Sequence, residues 1–303
     1  MGKALYDASA EAREIFDQAN EFLKKDLRGT IFNGSEEDLK KTAVTQPAIF
    51  TASCAAFSAF SARFPRLKSQ TAFAAGHSLG EYSALFSAGI FDFQTGLKLV
   101  EYRGKFLQEA CLAPKGTMAA FLGFERDQLQ NLCGRIPSGE VCEMVNFNCP
   151  GQIVVAGTEG GVKALISLAG SAPGTRAIPL QVSGAFHSSL MRGAGHRMKG
   201  VLESADLKEG DIPVVTNCDG RPTVRVKDFR EKLVRQIDHP VLWEDSIRLM
   251  IAQGVETFIE IGPGRVLCGL LKKIDGSKKA LNVEDPASLA KALHELEALE
   301  VTS

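Results

Sequence analysis

Apolar and polar positions along the chain follow two periods, and the order in which the periods alternate predicts an α/β protein. Ile15, Phe16, Ala19, Phe22 and Leu23 recur at helical spacing and give the helix-rich segment 3–25 one apolar stripe. A second helix is expected from about Ala48 to Phe64, led in by Thr45-Gln46-Pro47 with Pro47 in its first turn. The run Thr71–Ala75 reads as a short buried strand, and Glu81–Ala88 as a helix closed by Gly89. Asp92 then suits the N-cap of a helix over Phe93–Cys111, on which Leu99, Arg103, Phe106, Leu107 and Ala110 share a face.

The pattern changes after Lys115-Gly116. Strands are predicted at Thr117–Gly123, Val141–Phe147, Gln152–Gly157 and Arg176–Val182, with helices at Glu125–Cys133 and Val162–Ala169. That order, β-α-β-β-α-β, is ferredoxin-like. It divides the chain into a large parallel-sheet α/β catalytic domain, residues 1–115 and 189–303, and an inserted small domain, residues 116–188. The large domain resumes with a strand at Val214–Asn217, a helix at Trp243–Gln253 and a strand at Thr257–Ile261. Gly262-Pro263-Gly264 turns into a helix through Leu271, and Asp285-Pro286 starts a last helix through Leu299.

Composition narrows the function classes. With 303 residues, 45% of them hydrophobic, the chain can bury a large core, and a net charge of −1 points to neither nucleic acid nor a membrane surface as partner. The seven cysteines are scattered without a C-x-x-C pair, which suits reduced thiols in the cytoplasm better than disulfides or a metal site. No signal peptide is read at the start, and Tyr6 stands where a myristoylation signal wants Ser or Thr. The uncharged run Ala43–Ala62 is broken by Pro47 and carries Thr, Ser and Gln, so it reads as a buried helix rather than a membrane span.

Gly76-His77-Ser78-Leu79-Gly80 is a G-x-S-x-G sequence between the strand and the helix. A sharp turn there would expose Ser78 as a nucleophile, the flanking glycines would relieve crowding, and the Leu79 N–H would face a developing oxyanion. The serine needs a base. His196 and His294 lie among charged residues, His239 precedes Pro240, and His77 is expected to face away from the pocket. His187 remains, following an apolar strand where the small domain rejoins the large one. Arg103 sits on an apolar helical stripe, and a buried guanidinium needs an anion. The residues leave two partners open, an internal carboxylate such as Glu81 or a substrate carboxylate held bidentately.

Five motifs follow one another in register: GHSLGEY at 76–82, YRGKFLQEA around Arg103, NFNCPGQ at 146–152, SGAFHS around His187, and IEIGPGRVL at 259–267. Together they resemble malonyl-CoA:acyl-carrier-protein transacylases and the acyltransferase domains of fatty-acid and polyketide synthases. The resemblance implies a hydrolase-like α/β domain with the inserted ferredoxin-like unit. It implies that Ser78 is acylated, that His187 is its base, and that Arg103 grips the malonyl carboxylate. It places Gln46, Asn148 and Gln152 in the substrate pocket, and the base-orienting main-chain carbonyl near Leu242. Malonyl-CoA and acyl carrier protein are the implied partners, with no metal or cofactor and a monomer expected. Relatives begin with a strand and a Phe-Pro-Gly-Gln-Gly-Ser-Gln loop that supplies a second oxyanion N–H, and Met1-Gly2-Lys3 aligns just after it. The expectation is that the sequence is clipped relative to the natural protein. A free-standing polyketide-synthase acyltransferase, a serine esterase or thioesterase, and a non-catalytic carrier-binding subunit are the rival readings. Basic clusters at Arg192-Arg197-Lys199 and Lys272-Lys273-Lys278-Lys279 read either as solvated faces or as a rim for an acidic carrier protein.

Overall fold

The computed structural model describes residues 1–112, 115–170 and 174–301. The helix Thr42–Arg63 runs through the centre of the larger unit, with apolar residues on nearly every side and Phe50, Cys54, Ala55 and Phe60 without solvent exposure. It is the one helix among the described residues long and apolar enough to cross a membrane, and two thirds of its apolar window is buried inside the protein. Against it packs the helix Phe93–Ala110, N-capped by Asp92 as expected, with Thr95 N–H donating to Asp92 Oδ1 at 2.8 Å. The crossing is close because position 96 is glycine: a Cβ there would meet Phe91 and Phe50 ring atoms at 2.5 and 2.6 Å. This contact turns the Arg103 side of the second helix towards the first.

Strand β1, Ala74–Ala75, is parallel to β6, Val214–Val215, and β6 is antiparallel to β7, Pro222–Thr223. A separate parallel pair is formed by β8, Thr257–Ile261, and β9, Lys279–Val283. Between β1 and β6 in sequence lies the four-stranded antiparallel sheet of β2 (Gly116–Leu122), β3 (Cys142–Cys149), β4 (Gln152–Thr158) and β5 (Arg176–Pro179), in the order β3-β4-β2-β5. Helices Arg126–Cys133 and Glu159–Ala169 share an apolar core with this sheet through Leu129, Val162 and Leu165. The sheet is fastened to the larger unit along β3: Phe147 N–H donates to Val241 O at 3.0 Å, and Val241 N–H to Val145 O at 2.8 Å. Arg126 adds a bidentate pair with Asp245, both contacts 3.0 Å, and lies over the Phe147 ring.

Several boundaries differ from the sequence reading. Pro47 lies inside its helix, which starts at Thr42 because Val44 and Thr45 N–H already bond to Lys41 O. The first helical segment breaks at Ser9, whose hydroxyl caps a new helix, Ala10–Leu23. β1 covers two of the five expected residues, the two that pair with Val214 and Val215. Helix Val226–Gln236 and strand β9 were not anticipated.

Candidate active site

Strand β1 ends at Ala75, and the helix Gly80–Ser87 begins after one tight turn. Ser78 occupies the apex with φ 53°, in the left-handed region that non-glycine residues avoid. Position 76 must be glycine: a Cβ would sit 1.9 Å from Gly80 O, a backbone atom that cannot withdraw. Position 80 carries no such demand, because its Cβ would meet nothing within 4 Å. Helix bonds start at once, Glu81 N–H to Ser78 O at 3.1 Å and Tyr82 N–H to Leu79 O at 3.0 Å, and the Leu79 N–H stands at the helix N-terminal end outside them.

His187 lies 109 residues further on, yet its Nε2 is 2.7 Å from Ser78 Oγ. It too has a left-handed backbone, φ 64°. Its Nδ1 donates to the main-chain carbonyl of Gln236 at 2.7 Å, which fixes the tautomer with Nε2 free to accept the serine proton. The expected position near Leu242 is therefore corrected. Leu242 O is taken by the N–H and hydroxyl of Ser246, at 3.0 and 2.7 Å, as the helix Trp243–Ala252 starts. Burial, with the Arg103 charge adding to it, pushes His187 down to about 3, so the ring is unprotonated and its Nε2 free to accept throughout the physiological range.

Arg103 is 2% exposed. Its Nη1 donates to Gln46 Oε1 at 2.7 Å, and its Nη2 to Gln236 Oε1 at 3.0 Å and Ser78 Oγ at 3.2 Å. The guanidinium lies over the Tyr82 ring, 5.7 Å from its centroid. Glu81 does not hydrogen-bond it and acts on it through charge alone, so the internal-carboxylate reading of Arg103 fails as a direct pair. Arg103 Nε has no partner. Nε is thus the one nitrogen of this guanidinium without a partner, and the Ser78 hydroxyl on Nη2 is the contact that a ligand in the cavity can replace.

Ser78, His187, Arg103, Gln46 and Leu79 line one cavity of about 1640 Å³, which also reaches the edges of β1 and β8. Asn148 and Gln152 do not line it. Asn148 Oδ1 holds His77 Nε2 at 2.9 Å, while Gln152 starts β4 and touches Lys273 and Cys149. Asn148 sits at the second register shift of β3, between Phe147 and Cys149, and Gln152 lies on β4 opposite Cys149. His77, expected to face away, is on the cavity wall, packed against Trp243. Arg192 and Lys199 are exposed, whereas Arg197 is drawn onto Glu109 and the Phe106 ring. Among the described residues no group of three or more His, Cys, Asp or Glu could hold a metal ion.

Two residues of this site escaped the sequence reading, Asn217 and Gln236. Asn217 Oδ1 accepts the Ser78 N–H at 2.7 Å, and its Nδ2 donates to Gly76 O at 2.7 Å. Gln236 Nε2 donates to Ser78 O at 2.7 Å. The signal for Gln236 was its place on a helical row with Phe229 and Leu233, a polar side chain in an otherwise buried stripe.

Comparison with known proteins agrees with this arrangement. Residues 1–300 match the family described as acyl transferase domain. The malonyl CoA-acyl carrier protein transacylase of Bacillus subtilis is 42% identical over 297 residues, 98% of this chain and 92% of that protein. The protein of the same name from Escherichia coli K12 is 40% identical, over 92% of this chain and 90% of its own. The solved acyl-carrier-protein S-malonyltransferase of Bartonella henselae superposes with a TM-score of 0.94 at 34% identity, covering 98% and 95% of the two chains. A malonyl-transacylase solved in complex with a type II polyketide acyl-carrier protein gives 0.90 at 38% identity, over 97% and 94%. With the nucleophile turn, the histidine and the buried arginine brought together in one cavity, the chain belongs to the malonyl-CoA:acyl-carrier-protein transacylase family.

Proposed function

We propose that this protein transfers a malonyl group from malonyl-CoA, through an ester on Ser78, to the phosphopantetheine thiol of an acyl carrier protein, supplying fatty-acid synthesis in the cytoplasm. The observation that carries the reading is the Ser78 hydroxyl touched by His187 Nε2 on one side and Arg103 Nη2 on the other. A base activates the serine, and a buried cation within reach of the reacting carbonyl suits an acyl group that ends in a carboxylate. A neutral ester would gain nothing from Arg103.

In the first half-reaction the malonyl carboxylate replaces the Ser78 hydroxyl on Arg103 Nη2. His187 accepts the serine proton as Oγ attacks the thioester carbonyl, and the Leu79 N–H faces the oxyanion. Collapse releases CoA, whose thiolate regains the proton from His187. In the second half, His187 deprotonates the pantetheine thiol, which attacks the ester and restores Ser78. Gln46 serves by holding Arg103 rather than by touching the acyl chain. Asn148 and Gln152, outside the cavity, are assigned to the framework around His77 and β4. The unit at 116–188 closes one side of this cleft and the segments 1–115 and 189–303 the rest, with 113–114, 171–173 and 302–303 outside the described residues.

Mass spectrometry after mixing with malonyl-CoA tests the reading. The expected result is a stable malonyl adduct on wild type that is discharged by the carrier protein, and none on Ser78→Ala. Rapid hydrolysis without a carrier would make the protein a thioesterase, and absence of any adduct would make it a binding subunit.

A further inference from the structure

The transfer scheme gives no part to Glu81, although it lies three residues from the nucleophile and has no exposed surface. Two N–H groups converge on its Oε2: Gln236 Nε2 at 2.9 Å and the Asn217 main chain at 3.2 Å. Both donors belong to the residues that build the site. Gln236 meets the Ser78 carbonyl with its amide nitrogen, Arg103 with its amide oxygen and His187 with its main-chain oxygen. Asn217 holds the turn from both ends, at Ser78 N–H and Gly76 O.

A glutamine amide has two nearly isosteric orientations. Reversed, Gln236 would set its oxygen against the Ser78 carbonyl and its NH₂ against the Arg103 guanidinium, two repulsive contacts in a dry interior. A carboxylate on the nitrogen side accepts and cannot donate, so it admits one orientation only. We infer that Glu81 is a positioning residue for the acyl transfer, its carboxylate fixing Gln236 and Asn217 and through them the relative placement of Ser78, Arg103 and His187. This rests on the transferase reading above.

The charges around Glu81 come from three elements. Arg103 faces it from the helix Phe93–Ala110 and favours the ionised form, Asp219 after β6 opposes it, and burial raises it to about 7. Tyr82 on its own helix and Cys218 after β6 are both pushed upward, so they stay neutral near pH 7. His187, at about 3, does not titrate there either. Burial also lowers His77 on the cavity wall, so it is the loss of a near-neutral limb in Glu81→Gln that reports Glu81.

The experiment measures single-turnover acylation by malonyl-CoA from pH 6 to 8, with KM for malonyl-CoA and the melting temperature alongside. For wild type the rate rises through a limb near pH 7 as the carboxylate forms. Glu81→Gln keeps an acceptor for both N–H groups, so its rate at pH 8 stays within roughly tenfold of wild type, but the limb disappears. Glu81→Leu removes the acceptor and slows acylation by roughly 100-fold at pH 8, with KM changed less than about threefold. A Glu81→Leu enzyme acylated at the wild-type rate, or a Glu81→Gln enzyme that keeps the limb, overturns the inference. If Glu81→Leu does not fold, the pH profile of Glu81→Gln decides. Wild type that takes up no malonyl group fails the transferase reading itself, a result distinct from either.

Discussion

Arg103 shows how much one residue can decide. Buried with neutral partners on its Nη atoms and none on Nε, it is a cation beside Ser78 to which no carboxylate is hydrogen-bonded among the described residues. A charge-assisted pair at such a site is worth about 1.5–3 kcal/mol, a factor of roughly 10–100. Arg103→Ala is expected to lower malonyl transfer by at least that factor while acetyl transfer, which has no carboxylate to place, falls less. Parallel initial-rate measurements with the two CoA esters check this, and equal losses would assign Arg103 to structure alone.

At the scale of the element, the strand–turn–helix unit separates two glycines that look alike in the motif. Gly76→Ala forces a Cβ against the Gly80 carbonyl, with no flexible atom to yield, and is expected to cost about 3 kcal/mol or more. Gly80→Ala, whose Cβ enters open space, is expected to leave the thermal midpoint unchanged or slightly raised, as alanine favours the helix. Thermal unfolding of the two variants distinguishes them. The same unit explains what the sequence could disclose. Turn chemistry and helix caps are local, so Ser78, Asp92 and the β2–β5 pattern were legible from neighbouring residues. The carbonyl that orients His187 was not, because any main-chain oxygen has the same chemistry. Only the packing of helix Val226–Gln236 against the loop at His187 selects Gln236 over Leu242. Asn148 was misplaced for a related reason, since it sits at a bulge in β3 that composition does not disclose, while Gln152 on β4 bonds to Cys149 and Lys273.

The whole molecule feels its active site through pH. His187 is lowered from 6.5 to about 3, so unfolding takes up a proton there between those values and stability falls as pH drops through that window. Glu81 is raised from 4.5 to about 7, so its contribution is fully present below 4.5 and is lost as pH rises through 7. Between about pH 4.5 and 6.5 the two proton counts cancel. Glu81→Gln removes one side, and its unfolding free energy is expected to decline with acidification over that range by up to ~1.4 kcal/mol per pH unit, against a nearly flat wild type. Denaturant titrations at three pH values in that range measure the slope.

The neutral partners of the buried Arg103 also make the protein's rigidity depend on its cargo. A malonyl ester on Ser78 is tethered, so its carboxylate acts on Arg103 as an intramolecular ligand present only in the folded state. By linkage, the fold that holds the acyl group is held by it. Malonyl-loaded protein is expected to melt several degrees above the free enzyme, and acetyl-loaded protein to stay near it, in calorimetric scans of each form. The enzyme would then be firmest while carrying its load and loosest when empty, so that each turnover is also a cycle of tightening and release.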